Sequence, residues 1–185
     1  MPNWCNNEVT ITHEDPAKLE RLEEAWRQGR LFAEVMPEPD YAVTPVALTY
    51  PDVSAMFAKT EEDRAKIMAN EPTIREESWW DWRVQNWGTK WDVGGPNDEG
   101  EAVLWGDQQL RICFDSAWSP PTGIYQELLE QGYGVTAYYW EPGCAFCGRF
   151  TTEAGDEAFQ DNAPPPDIDA VFCITQQREE MEADE

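Results

Sequence analysis

The stretch that decides the fold is residues 102–140, AVLWGDQQLRICFDSAWSPPTGIYQELLEQGYGVTAYYW. Alternating apolar residues indicate strands, an i, i+4 apolar stripe indicates an amphipathic helix, and Gly106-Asp107 is typical of a hairpin turn. The predicted order is strand, strand, helix, strand, at 102–105, 109–115, 121–131 and 134–140. A further strand is predicted to return at 145–152.

The first part of the chain supplies the missing half of this pattern. Residues 4–12 alternate as a half-buried strand does, and Asp15-Pro16 is a typical start for the helix that follows at 16–28. The order βαββαβ is that of the split βαβ arrangement. The sequence therefore predicts an α+β, ferredoxin-like fold, an antiparallel sheet with helices on one face.

The predicted organisation is one ferredoxin-like domain over residues 1–162, with a helical and irregular insertion at about 31–100. Four prolines make residues 31–58 an irregular segment against the core. Residues 163–185 form a Pro-rich and acidic C-terminal segment, in which Ile168 and Ile174 could dock as a short element before a solvated tail from Arg178.

Charge is the strongest global signal. The 185 residues include 37 acidic and 13 basic side chains, for a formal net charge of −24. Such a field repels nucleic-acid phosphates and attracts basic protein surfaces, so it disfavours direct nucleic-acid binding. Solubility, or a salt-rich host, is the simpler explanation of the charge, and an acidic surface made to occupy a basic site is the alternative. The chain shows no apolar run long enough for a membrane span and no secretion signal, so the expected location is the cytoplasm.

If the charge serves binding, clusters of carboxylates would carry it. These carboxylates lie in polar stretches of sequence that are expected to be exposed to solvent. The candidates are Glu61, Glu62, Asp63, Asp98, Glu99, Glu101, Glu153, Asp156, Glu157 and Asp161.

A second candidate site is the segment 79–92, WWDWRVQNWGTKWD, which holds five of the ten tryptophans. A helix is predicted at 76–87, with Trp80, Val84 and Trp87 facing the core. One interpretation is an aromatic core that joins Trp80, Trp87 and Trp91 to Trp4 and Trp118. The other is a pocket in which tryptophans stack a planar ligand. The pocket candidates are Trp82, Arg83, Asn86, Trp87, Lys90, Trp91, Asp92 and Trp118.

The cysteines and the single histidine give weaker signals. Cys144 and Cys147 form a CxxC pair, which is a weak candidate for half of a zinc site or for a redox dithiol. No second pair with metal-ligand spacing accompanies them, and ordinary packing is the favoured interpretation. No cofactor-binding motif is present, so no cofactor, metal or catalytic residue is predicted.

Three motifs together resemble a known family. They are MPNWCNN at 1–7, NWGTKWD at 86–92 and FDSAWSPP at 114–121. As a set they are similar to the YubB-type ferredoxin-like proteins of phages, plasmids and integrative elements. The resemblance covers about residues 1–150 and implies a ferredoxin-like fold and carriage on a mobile element. It implies no catalytic residues.

Two functional hypotheses follow. In the first, the chain is a small acidic accessory protein that binds and blocks a basic, nucleic-acid-binding surface of a host defence complex, as an anti-CRISPR or anti-restriction protein or a DNA mimic does. Its partner would be a basic host protein or ribonucleoprotein. In the second, the chain is a ligand-binding or enzymatic domain that recognises a nucleotide-like molecule in the Trp-rich pocket.

Overall fold

A computed structural model describes residues 3–39, 60, 79–96, 98–106 and 108–183. The chain divides into two compact units. The first comprises Met1–Pro37 and Arg83–Glu185, and the second is Glu38–Trp82. All six strands lie in the first unit, so the predicted strand order is compared with the structure of that unit. Whether residues 1–162 form one domain, as predicted, stays a prediction.

The first unit is built on a six-stranded sheet in which every neighbouring pair is antiparallel. The strands are β1 (Trp4–Thr12), β2 (Glu101–Trp105), β3 (Gln109–Ala117), β4 (Gly134–Glu141), β5 (Phe146–Thr151) and β6 (Gly155–Gln160). Their order is β2-β3-β1-β4-β5-β6. The first four strands thus have the order expected of a split βαβ unit, and the predicted α+β, ferredoxin-like fold is confirmed.

Six helices accompany the sheet in the described part of the chain. They are α1 (Pro16–Arg27), α2 (Leu31–Val35), α3 (Trp79–Asn86), α4 (Thr122–Glu130), α5 (Pro166–Phe172) and α6 (Ile174–Ala183). Helix α1 begins as predicted, because Asp15 accepts a hydrogen bond from the Ala17 amide at 3.0 Å and Pro16 occupies the first turn.

The two faces of the sheet differ in what covers them. On β1, Cys5, Asn7, Val9 and Ile11 are buried on one face, since successive side chains of a strand alternate. Helices α1 and α4 pack on this face, as predicted. Trp4, Asn6 and Glu8 point to the opposite face of the sheet, which we call the open face.

The C-terminal segment covers another part of the open face. Ile168 and Ile174 are fully buried against Trp140 and Cys147. The docked element is thus two helices, α5 and α6, rather than one short element. The segment expected to be a solvated tail from Arg178 is helical as far as Ala183, and the Arg178 guanidinium pairs with Asp161 at 2.7 Å, whereas Glu179 and Glu180 are exposed.

Two further elements were not predicted. Residues 31–35 were expected to be irregular, yet they form α2, with Leu31, Phe32 and Val35 buried. Strand β6 extends the sheet beyond the predicted return strand, pairing with β5 from Phe146↔Gln160 to Thr151↔Gly155. Its acidic composition hid the alternation, since carboxylates are rare in strands.

The helix predicted at 76–87 is present as α3, but its core-facing residues are only partly as expected. Trp87 is fully buried, whereas Trp80 and Val84 are exposed by 36% and 37%. The prediction for Trp80 and Val84 is therefore wrong. The acidic candidates Glu61, Glu62 and Asp63 lie outside the described residues. None of the helices in the described ranges is long and apolar enough to cross a membrane.

Candidate functional site

Two of the sequence motifs pack directly against each other. The Thr89 hydroxyl donates to the Ala117 carbonyl at 3.0 Å, and the Ser119 hydroxyl donates to the Gly88 carbonyl at 2.5 Å. Gly88 has a φ of +90°, and a Cβ there would lie 3.0 Å from the Pro120 carbonyl oxygen. Glycine is therefore required where NWGTKWD meets FDSAWSPP.

Trp87 anchors the first motif in the core. Its side chain is fully buried, meets Phe32 edge to face at 5.8 Å, and donates its indole N–H to the Met36 carbonyl at 3.0 Å. The Arg83 guanidinium lies 4.7 Å from its ring centroid. A buried indole with its N–H satisfied is a core residue, so Trp87 fits the predicted aromatic core and not a pocket wall.

The Asp92 carboxylate is hydrogen-bonded to backbone amides of the protein. It accepts hydrogen bonds from the amides of Phe32 at 2.7 Å, Ala33 at 2.9 Å and Val93 at 2.9 Å. Two of these amides belong to the first turn of α2, whose N-cap residue, Arg30, makes no side-chain capping bond. Burial raises the pKa of Asp92 above its usual range, while the three amides lower it. Asp92 thus caps α2 from another part of the chain.

The outward-pointing tryptophans meet on the surface. The ring centroids of Trp4 and Trp91 are 6.0 Å apart, and Trp91 stacks on Trp118 at 6.3 Å with an interplanar angle of 23°. These three side chains, which we call the surface tryptophan cluster, are exposed by 45%, 37% and 43% in that chain order. Each comes from a different one of the three sequence motifs. The core predicted to join them to Trp87 is therefore split, with Trp87 inside and these three at the surface.

Lys90 gives the cluster one positive charge. Its ammonium lies 4.5 Å from the Trp91 ring centroid and 5.5 Å from that of Trp118. Both distances are within the range of a cation–π interaction. The Arg83 guanidinium reaches the Lys90 carbonyl at 3.4 Å, which ties the backbone of the segment to α3.

The backbone at Trp118 is unusual. Its φ is +65°, a left-handed conformation that L-residues with bulky side chains rarely adopt. The Trp118 amide donates to the Asn3 carbonyl at 2.9 Å, which fixes the conformation beside the first strand. Strained backbone of this kind often occurs at binding and catalytic sites. Here it turns the indole toward Trp91.

An acidic groove adjoins the cluster on the open face. It has a volume of about 720 Å³, and its lining includes Trp4, Asn6, Glu8, Glu99, Asp115 and Phe172. The register places Asn6 opposite Asp115 and Trp4 opposite Ala117, so Trp4 and Asp115 are diagonal neighbours on one face. Trp4 therefore belongs both to the surface tryptophan cluster and to the wall of the groove.

The carboxylates of the groove differ in their partners. Asp115 is exposed and accepts a hydrogen bond from the Asn6 amide nitrogen at 2.7 Å. Glu8 forms a two-point salt bridge with Arg111, at 2.7 and 3.1 Å. Asp98 accepts from the Gly94 and Gly100 amides at 2.7 and 2.8 Å, so it shapes the loop that carries exposed Glu99.

Most other acidic candidates have internal partners. Asp156 accepts from the Tyr139 hydroxyl at 2.8 Å, and Glu157 pairs with Arg149 at 2.8 Å. Asp161 is buried between the Trp140 indole N–H and Arg178. Glu101 lies 3.8 Å from Arg111. Exposed Glu153 follows β5, at the end of the sheet away from the groove. Among the candidates with described positions, the structure brings only Asp98 and Glu99 to the groove.

The remaining pocket candidates, Trp82 and Asn86, lie four residues apart on α3. Trp82 belongs to the second unit. The Asn86 carbonyl lies so close to Gly123 that an added Cβ would stand 1.7 Å from it, so Asn86 packs against the start of α4. The stacked-ligand role predicted for these residues stays a prediction.

The two cysteines of the CxxC pair lie in different environments. Cys147 is fully buried beside Ile168 and Ile174, and burial raises the pKa of its thiol to about 11. Cys144 is exposed in the turn before β5, where its sulfur accepts a hydrogen bond from Asn3 at 3.6 Å. All five cysteines are free thiols. In the described ranges, no group of three or more His, Cys, Asp or Glu side chains is placed to hold a metal ion.

Sequence analysis missed several residues of this surface. The sequence places Trp4 only in the aromatic-core interpretation and Phe172 only in the docking C-terminal element, and it assigns Glu8 and Asp115 to no site, whereas the structure places all four in the groove. The alternation of β1 carried part of the signal, because Trp4, Asn6 and Glu8 share one face. The pairing of β1 with β3, which brings in Asp115, is a long-range contact that a strand pattern does not contain.

The match to a protein-family model agrees with the fold. The family model for the ferredoxin-like domain in Api92-like protein matches residues 87–182, about half of the chain. Among solved structures, the crystal structure of a protein api92 from Yersinia pseudotuberculosis is similar, with 12% sequence identity and a TM-score of 0.44 over 89% of this chain and 100% of that chain. No curated protein matches the chain.

The matched region begins at Trp87 and extends through α5 into α6, so it includes the second and third motifs and the helices of the open face. Together with the strand order β2-β3-β1-β4, this match assigns the chain to a family. The chain belongs to the family defined by the ferredoxin-like domain of Api92-like proteins.

Proposed function

We propose that this chain is an acidic accessory protein that binds and blocks a basic, nucleic-acid-binding surface of a host defence complex. The observation that carries the proposal is the net charge of −24 on 185 residues. A field of this size favours basic protein partners and raises their association rate. The resemblance of the three motifs to YubB-type proteins supports a mobile-element origin, and the host cytoplasm is the corresponding location.

The acidic groove is the part of the surface best suited to such a partner. Asp115 and Glu99 are exposed there, and Trp4 and Phe172 add apolar area beside them. Interfaces commonly combine aromatic anchors with charged rims. The carboxylates of β6 and of Asp161 are engaged within the protein, so they contribute to the field more than to specific contacts.

The test compares two variants that change the net charge equally. Glu99→Gln with Asp115→Asn removes two exposed carboxylates from the groove. Glu14→Gln with Glu153→Gln removes two exposed carboxylates at the opposite end of the sheet. Immobilised proteins are incubated with host extract at low salt, and the retained proteins are then eluted with duplex DNA.

We expect the wild type and the distal variant to retain a basic nucleic-acid-binding complex that DNA displaces. The groove variant should retain several-fold less of it, and moderate salt should release it, because screening weakens charge-led contacts. Retention that neither DNA nor salt reverses would contradict the proposal. Equal loss in both variants would mean that the overall field, and not the groove, binds the partner.

A second candidate function rests on Lys90. Its ammonium lies beside two exposed indoles, an arrangement that could hold a planar anionic ligand such as a nucleotide. Thermal-shift measurements with a nucleotide panel test it. A shift that Lys90→Ala abolishes, without loss of basal stability, would support this function, and no shift with any nucleotide would argue against it.

A further inference from the structure

We propose that Trp4 and Asp115 form a recognition site for an arginine side chain of the partner protein. This inference rests on the proposed function and names the chemical group that the groove binds. A guanidinium is planar, stacks on aromatic faces and donates two parallel hydrogen bonds to a carboxylate. The site offers both an aromatic face and a carboxylate on adjacent strands.

The apolar half of the site is the surface tryptophan cluster. Three indoles with 37–45% of their surface exposed are unusual for a protein surface, and contiguous exposed apolar area commonly marks a site of interaction. Trp91 packs against both of the others, and its ring centroid lies 6.0 Å from that of Trp4. Trp4 is thus held in place and presents its exposed part beside the groove.

The polar half is Asp115. The Asn6 amide holds one oxygen of its carboxylate at 2.7 Å, which fixes the orientation of the group. Asp115 is exposed, and the strand register sets it diagonally across from Trp4 on the same face. Glu8 is already paired with Arg111, so it is less available to a partner. This existing pair nevertheless shows that the face accommodates a guanidinium bound to a carboxylate by two hydrogen bonds.

Charge selects among the occupants of such a surface. A second copy of the chain would bring two charges of −24 together, and a nucleic acid or an anionic membrane would be repelled in the same way. A basic protein segment is attracted. Arginine is favoured over lysine because its planar guanidinium stacks flat on an indole and donates two parallel hydrogen bonds to a carboxylate, whereas a lysine ammonium acts on either group only as a point charge.

The experiment uses two labelled peptides that differ only in side-chain chemistry. Both are glycine–serine peptides, one with evenly spaced arginines and the other with lysines at the same positions. Fluorescence anisotropy gives the affinity of the full chain for each. We expect the arginine peptide to bind about fivefold more tightly or better, in line with the added stacking and two-point hydrogen bonding.

The variants separate stacking from charge. Trp4→Ala should lower the arginine preference several-fold and weaken lysine binding less than arginine binding, because it removes the stacking surface and leaves the two-point contact with Asp115. Asp115→Asn should weaken arginine binding more than lysine binding. Trp105→Ala serves as the matched control, because Trp105 is 56% exposed and lies at the far end of the sheet. It should retain the full preference.

The outcomes distinguish this inference from the proposed function. Equal affinity for both peptides, or an arginine preference that Trp4→Ala leaves at its full wild-type value, would overturn the arginine site while leaving capture of a basic complex intact. No binding of either peptide would also overturn it. If sedimentation showed that the wild type is a dimer and that Trp4→Ala is a monomer, the cluster would be assigned to self-association and not to an arginine site. If the wild type captured no basic complex from host extract but kept the arginine preference and its reduction by Trp4→Ala, only the proposed function would be overturned.

Discussion

Trp87 and Trp91 lie four residues apart in one motif, yet they have opposite roles. Trp87 is fully buried and has its indole N–H bonded inside the protein, whereas Trp91 is 37% exposed, stacks on Trp118 and makes a tilted ring contact with Trp4. Gly88, with a left-handed φ of +90°, lies between them just after the end of α3. A single tryptophan-rich segment thus contributes both to the core and to the surface. Mutations should therefore affect stability very differently along the motif.

The largest expected effect is that of Trp87→Ala. Removal of a fully buried tryptophan leaves a cavity beside Phe32, and the free energy of unfolding should fall by about 3–5 kcal/mol. Trp91→Ala should cost at most about 1 kcal/mol, because its ring is partly in water and makes aromatic pairs at the surface. Denaturant unfolding of both variants measures the difference. Similar losses of unfolding free energy in the two variants would contradict the assignment of Trp87 to the core and Trp91 to the surface.

The next effect concerns the cap that Asp92 provides to α2. Asp92→Ala leaves three amide groups without their acceptor, so the free energy of unfolding should fall by on the order of 1–3 kcal/mol. Hydrogen exchange of the Phe32 and Ala33 amides, measured by NMR, locates the loss. Lys90→Ala is the control, since its side chain contacts surface indoles and should leave exchange at α2 unchanged.

A smaller effect should appear at Trp118, where the φ of +65° penalises any residue with a Cβ. Trp118→Gly should be more stable than Trp118→Ala by about 1 kcal/mol, because glycine adopts this conformation without strain. That order is the reverse of the usual one, in which glycine destabilises through chain entropy. Thermal unfolding of the two variants decides it. A more stable alanine variant would mean that the backbone relaxes when the indole is removed.

The pH dependence of stability should sharpen the contrast within the motif further. Burial raises the pKa of Asp92 in the folded state, so the folded protein binds this proton more tightly than the unfolded chain does. The corresponding stabilisation is full below the unfolded value of about 3.9 and is lost as the pH rises through the folded pKa. The stability of the wild type relative to Asp92→Asn should therefore decline from about pH 4 upward. A constant difference between the two proteins across that window would contradict the role of burial.

Local patterns predicted the elements that depend on neighbours in sequence. The alternation of β1, the Asp15-Pro16 start of α1 and the hairpin around Gly106 were all recognised, because caps, turns and strand periodicity involve residues a few positions apart. Helix α2 was missed for the opposite reason. It is short, and the carboxylate that caps it, Asp92, lies sixty residues further along the chain.

The sequence by itself determined the fold class, the order of the first four strands and the negative field of the protein, since these depend on periodicity and composition. It also identified the three motifs that contribute Trp4, Trp91 and Trp118. Only the tertiary structure decided that these tryptophans meet at the surface while Trp87 turns inward, and that Asp115 adjoins Trp4. The physical reason is that strand pairing and the turn at Gly88 bring together residues that are far apart in the chain.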